Sequence, residues 1–135
     1  MPIRIRQSAT IGLSSGTQEK KDLGNTTWEV VTDGLGEGGT WKTLVPAGST
    51  DLEIRMDNIA AVSFLAIKTS AKDPTQAPAS LDFKRETVGG EIFTIEPLPN
   101  TKEGHLLMTT NSLTALFVTN SGSVDMEVIV IAAGD

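Results

Sequence analysis

From about Ser49 onward the chain is a succession of short apolar runs, each closed by Gly, Asn, Asp or Ser: STDLEIRM, AAVSFLAIK, SLDFKRE, EIFTIEPL, HLLMTT, LTALFVTN and VDMEVIVIA. Gaps of a few residues separate them, which leaves no room for a helix of ordinary length. The core must therefore be buried between packed antiparallel sheets. Most runs alternate. In DLEIRM, Leu52, Ile54 and Met56 interleave with Asp51, Glu53 and Arg55, the pattern of a strand with one buried and one wet face. Two runs do not. In IAAVSFLAIK (59–68), Val62, Phe64 and Ala66 oppose Leu65 and Ile67, and the stretch from Val128 to Ala133 is apolar on both faces. Strands of that kind lie centrally under a covering layer or meet another subunit.

The punctuation between runs predicts the connections. PAGST (46–50), KDPTQAPAS (72–80), LPNTKEG (98–104) and NSGS (120–123) read as loops. Asp57-Asn58 reads as a two-residue turn, and SLDFKRE and EIFTIEPL as a hairpin turned at Gly89-Gly90. Asn111-Ser112 gives a second tight-hairpin signal between HLLMTT and LTALFVTN. Upstream, TTWEVVTD (26–33) and TWKTLVP (40–46) flank the glycine-rich DGLGEGG (33–39) and read as a hairpin. Residues 2–9 alternate, with Ile3 and Ile5 on one side and Arg4 and Arg6 on the other. Residues 10–25, TIGLSSGTQEKKDLGN, have little to bury and read as a long loop or connector. Nine or ten strands result. The expected fold is all-β: an antiparallel two-sheet β-sandwich, jelly-roll-like, with an extended N-terminal arm, and a closed barrel as the alternative. Residues 1–25 form the arm and loop, and residues 26–135 the sandwich domain.

Chemistry-bearing motifs are sparse. Gly34, Gly36 and Gly39 satisfy G-x-G-x-x-G directly after a strand. A dinucleotide site needs those glycines to open a helix aimed at the pyrophosphate, whereas TWKTLVP is β-branched and ends in proline. A flexible loop tip is the better reading. Asp33 and Glu37 lack the spacing of a calcium loop. Glu91, Glu96, Glu103, Asp125 and Glu127 include no evident acid/base pair, because strand periodicity puts Asp125 and Glu127 on a wet face. His105 is the sole imidazole, no G-x-S-x-G elbow accompanies it, and without cysteine it makes no typical zinc site. Neither a catalytic residue nor a cofactor or metal ligand is assigned.

Composition narrows the partners. A net charge of −6 argues against a phosphate-backbone binder, since counterion release needs a basic surface. Aromatic residues are 4% of the chain and tyrosine is absent, which leaves few platforms for bases or sugars. No window approaches the run of about 20 apolar residues that spans a bilayer, and the N-terminus lacks the apolar core of a secretory signal. Within this acidic chain Arg4 and Arg6, followed by Lys20 and Lys21, form a locally basic segment. Ile3, Arg4, Ile5 and Arg6 are the candidate partner-binding residues: isoleucines suit pockets, arginines pair with carboxylates, and the strand itself can add to a partner's sheet.

The IRIRQSATIGLSSGT arm, the cysteine-free strands rich in Thr, Ser and Gly, and the stretch KEGHLLMTTNSLTALFVTNSGSVDMEVIVIAAGD together resemble the small all-β auxiliary proteins of tailed-bacteriophage virions, especially capsid decoration or cement proteins. The resemblance is one of layout over most of the chain and transfers no residue role. It implies a jelly-roll-like homo-oligomer, a dimer or trimer. Such a protein is made in the host cytoplasm and sits on the capsid exterior. It would bridge copies of the major capsid protein and stabilise the shell by binding only the assembled form. Two other classes remain for comparison: a receptor- or glycan-binding module of a tail or head fibre, using Trp28 and Trp41, and a hydrolase built on His105 or a carboxylate pair.

Overall fold

The computed structural model of the chain describes residues 4–13, 21–31, 37–56 and 59–134. Ten strands follow one another: β1 (Arg4–Leu13), β2 (Lys21–Val31), β3 (Glu37–Val45), β4 (Leu52–Glu53), β5 (Val62–Ala71), β6 (Leu81–Arg85), β7 (Ile92–Ile95), β8 (Glu103–Leu113), β9 (Leu116–Thr119) and β10 (Met126–Gly134). Among the described residues there is no helix. Hydrogen bonding sorts the strands into a two-stranded sheet, β1-β2, and two four-stranded sheets, β3-β10-β5-β8 and β4-β9-β6-β7. Every pairing is antiparallel. The all-β sandwich expected from the alternation is what the chain forms.

The two four-stranded sheets close over one interior. Val45, Leu65, Ile67, Val128 and Val130 enter from one side, and Leu81, Phe83, Ile95, Leu116 and Val118 from the other. Each such side chain contributes roughly 1.5–3 kcal/mol relative to exposure. Phe83 and Phe93 stack across the β6–β7 hairpin at 5.5 Å between centroids. The DLEIRM alternation holds, with Ile54 and Met56 buried while Glu53 and Arg55 are exposed. Only Leu52 and Glu53 form ladder pairs, and the Ile54 amide continues the contact to the Leu116 carbonyl at 2.8 Å.

One side chain fastens two turns together. Asn120 is fully buried at the end of β9. Its amide nitrogen donates to the carbonyls of Val45 (3.1 Å) and Val124 (2.8 Å), and its carbonyl accepts from the Gly122 amide (3.0 Å). Its backbone accepts from Gly48 and donates to Ser49 in the β3–β4 turn. Gly48 takes φ +80° there, a conformation that side-chain-bearing residues rarely adopt. In the β3-β10-β5-β8 sheet, Gly104 lets β8 lie close to its neighbours. A Cβ there would come within 2.5 Å of the Thr69 hydroxyl and 2.6 Å of Ile95. The Thr69 hydroxyl is itself buried without a hydrogen-bond partner.

Several local expectations are corrected. β2 does not pair with β3: it pairs with β1 from Arg4↔Val31 to Leu13↔Lys21, and β3 pairs with β10. The segment read as a loop from residue 10 is thus strand through Leu13, and strand again from Lys21, with only 14–20 outside the described residues. A boundary at 25/26 falls inside β2. The Asn111-Ser112 hairpin is not formed either. β8 runs to Leu113 beside β5, while β9 lies in the other sheet between β4 and β6. Around those residues β8 bulges: Val62 pairs with Leu113 and Phe64 with Thr109, Ser112 takes φ +61°, and the Thr110 hydroxyl is bonded to the Val62 carbonyl. A turn-like dipeptide here serves a bulge. The β6–β7 hairpin through Gly89-Gly90 is formed as expected. Gly34, Gly36, Asp33 and the Asp57-Asn58 turn lie outside the described residues, and Gly39 is a strand residue opposite Ala132.

Asn120→Ala removes three hydrogen bonds and strands buried partners, so it should cost about 2–3 kcal/mol of stability in urea unfolding. Thr69→Val keeps the shape and deletes an unpaired buried hydroxyl, and should raise stability by about 1 kcal/mol in the same assay.

Candidate functional site

The two doubly apolar runs, β5 and β10, are neighbours at the centre of one sheet. Their inward residues fill the core. Their outward residues fall in register with β3 and β8 and form four rows across the sheet's outer face: Gly38–Ala133–Phe64–Thr109, Thr40–Ile131–Ala66–Leu107, Lys42–Ile129–Lys68–His105 and Leu44–Glu127–Ser70–Glu103. The bulge between Val62 and Phe64 turns Val62 inward, so Val62 belongs to the core and not, as strict alternation implied, to the face of Phe64 and Ala66.

Five side chains, Phe64, Ala66, Leu107, Ile129 and Ile131, make the middle of this face apolar. Phe64 is 5% exposed, whereas Leu107 and Ile131 are 40% and 45% exposed, and Leu44 at the far row is 43% exposed. A shallow depression of about 450 Å³ runs between Ile129, Ile131, Ala66, Leu107, Lys68 and His105. Charged pairs border it on one side. Lys42 lies 3.3 Å from Glu127, and Glu103 holds both Lys68 (3.0 Å) and His105 (3.2 Å). The Lys68 ammonium bonded to Glu103 is the main cause holding that carboxyl below its usual range. Partial burial opposes this, and His105 adds to it.

The outer face of the other sheet is more polar, although Phe117 lies in it and Ile92, at its β7 edge, is 56% exposed. Its rows read Glu53–Phe117–Lys84–Ile92 and Thr119–Asp82–Thr94. Lys84 reaches Asp51 at 2.8 Å, and Thr94 donates to Asp82 at 2.6 Å. One face of the sandwich is thus mostly polar with an exposed isoleucine at its edge, and the other is apolar across its middle. Contiguous apolar surface edged by charge is the kind of surface that interaction sites use, which makes this face the candidate.

The remaining sequence candidates fall elsewhere. Ile3 lies outside the described residues. Arg4, Ile5 and Arg6 are strand residues of β1, opposite Val31, Val30 and Glu29. His105 stands on the exposed rim with Glu103 and Lys68. Asp125 accepts a hydrogen bond from the Ala47 amide, a turn-holding role. Trp41 packs against the core and lies over Gly39, which removes it as an open platform. Among the described residues no three His, Asp or Glu side chains come together as a metal site, and no helix is long and apolar enough to cross a membrane. Leu44 and Leu107 are members of the apolar face that the sequence reading did not single out. The Leu106-Leu107 pair carried the signal for β8, since consecutive leucines in a strand place one on each face. The chain matches no protein-family model, no curated protein and no solved structure.

Glu103, with its folded pKa depressed, adds stability above its unfolded value and loses it as pH falls through the folded one. In an NMR titration its carboxyl should change below the ordinary glutamate range, and Lys68→Ala should move the midpoint back up.

Proposed function

We propose that this chain is a structural interaction protein of a bacteriophage virion, a decoration or cement subunit that docks on the assembled capsid through the outer face of the β3-β10-β5-β8 sheet. The observation that carries the reading is the contrast between that face and its polar counterpart. Leu107, Ile131 and Leu44 stand exposed around Ile129 and Ala66, while the opposite sheet presents Asp82, Lys84, Glu53 and Thr94 with Phe117 among them and Ile92 exposed at its edge. Covering Leu107 and Ile131, each about half exposed, would supply roughly 1 kcal/mol apiece. The rim pairs Lys42–Glu127 and Lys68–Glu103 add orientation more than affinity.

The strand order supports the jelly-roll part of the reading. Numbered from β3, the eight body strands run 1-8-3-6 in one sheet and 2-7-4-5 in the other, the interleaving produced when a long antiparallel ribbon rolls up. Sheets built this way leave both outer faces free for partners. In the proposed role the protein works by mass action: a subunit that binds the assembled shell and not its dissociated parts stabilises the shell by about 2.7 kcal/mol per site at a hundredfold excess over Kd. The major capsid protein is the proposed partner, and the exterior of the virion the proposed location.

Purified protein mixed with undecorated capsids should bind saturably and in symmetry-matched positions by electron microscopy. Ile131→Glu should weaken binding at least tenfold in co-sedimentation, while Thr94→Lys on the opposite face should leave it unchanged. Equal binding by both variants would remove the sheet face from the mechanism, and absence of binding to any capsid or tail assembly would remove the virion role.

A further inference from the structure

We infer that the free edge of β8 is completed by β1 of a second copy, so that the β1-β2 ribbon of one chain extends the β3-β10-β5-β8 sheet of another. The four outer strands of the sandwich differ in how well they are guarded. β4 has two ladder residues and β7 has four, too few to template a partner. β3 has nine but carries Lys42 and two glycines, the kinds of residue that discourage strand addition. β8 has eleven residues with neither lysine nor proline, and from Leu106 to Leu113 no charged side chain at all; Gly104 near its start and the bulge between Thr109 and Leu113 are its interruptions, and the run between them is regular. An edge that long and that neutral is one that soluble proteins cover.

The ribbon supplies a fitting cover. Among the described residues β1 and β2 share no ladder with either body sheet, and an isolated two-stranded ribbon is marginally stable at best. β2 occupies one edge of β1. The other edge carries no strand among the described residues, and β1 is ten residues long against the eleven of β8. Charge selects the direction. A hollow of about 320 Å³ at the Thr110–Leu113 end of β8 is lined by Glu86, Glu91 and Arg85, a net negative set. Antiparallel addition brings Arg4 and Arg6 to that end. Parallel addition would bring them to the Glu103 end, where Lys68 already occupies the carboxylate.

Chain length selects a second copy over the same chain. Strand β3 is at the far edge of the sheet from β8. With β1 and then β2 added beyond β8, β2 would lie five strand spacings from β3, about 24 Å. Antiparallel addition would put the end of β2 and the start of β3 at the same end of the sheet. The six steps from Val31 to Glu37 span at most about 22 Å fully extended, with no allowance for a detour. The ribbon thus falls short of its own β8 and is free to reach a neighbour's.

The chain has no cysteine, so introduced thiols report without background. Full-length Ser8→Cys and full-length Thr109→Cys, mixed and treated with a short bis-maleimide, should give a mixed dimer in high yield, with little product from either variant alone. Thr109→Lys, which places a charge on the edge strand, should weaken self-association at least tenfold in sedimentation velocity while leaving the circular dichroism spectrum unchanged. A protein that sediments as a monomer at all concentrations would overturn the inference. So would a doubly substituted chain that links only within itself, or a mixture that gives no dimer. These readouts are independent of capsid binding through Ile131.

Discussion

β10 holds the body of this protein together. It is hydrogen-bonded along its length to β3 on one side and β5 on the other, and its alternate residues Met126, Val128, Val130 and Ala132 lie at the middle of the core. Without it β3 has no partner, and the sheet that carries the apolar face is split. β3 and β10 are some ninety positions apart in the chain, so the ladder closes a long loop before it gains any stability. Folding by such non-local pairings is slow compared with helical bundles of similar size.

How much of this was legible in the sequence depended on the range of the interaction. Alternation within a strand is set by its own residues and by one buried side, so DLEIRM, LDFKR and the final strand could be read directly. The doubly apolar character of 59–68 and 128–133 was equally plain, and it pointed to the candidate surface. Apart from the β6–β7 hairpin at Gly89-Gly90, what could not be read was which strands pair. The residues that make a hairpin within one sheet also make the corner at which a chain crosses to the other, or a bulge within a strand. Asn111-Ser112 proved to be a bulge. DGLGEGG connects a strand of the ribbon to a strand of the sandwich, and its last three residues are themselves strand. Only long-range ladders decide between those outcomes, and they leave little local trace.

The apolar surface had a similar history. Phe64, Ala66, Ile129 and Ile131 were visible as the second face of two strands, but their assembly into one patch required β5 and β10 to be neighbours. Leu107 joined them because β8 pairs beside β5. The burial gradient across the patch, from Phe64 to Ile131, shows one end already sheltered and the other open. A surface built this way has a fixed polarity: an apolar middle, a charged rim at Glu103, Lys68 and His105, and a sheltered end near the start of β3.

Completing the sheet last has a consequence for when this surface exists. Ile129, Ile131 and Ala133 belong to the last of the ten strands to leave the ribosome, and until it inserts between β3 and β5 their neighbours on the outer face have nothing to align with. A nascent or truncated chain therefore presents no organised patch. The aligned surface appears in one step with the β10 ladders, and a chain that lacks that strand has none of it.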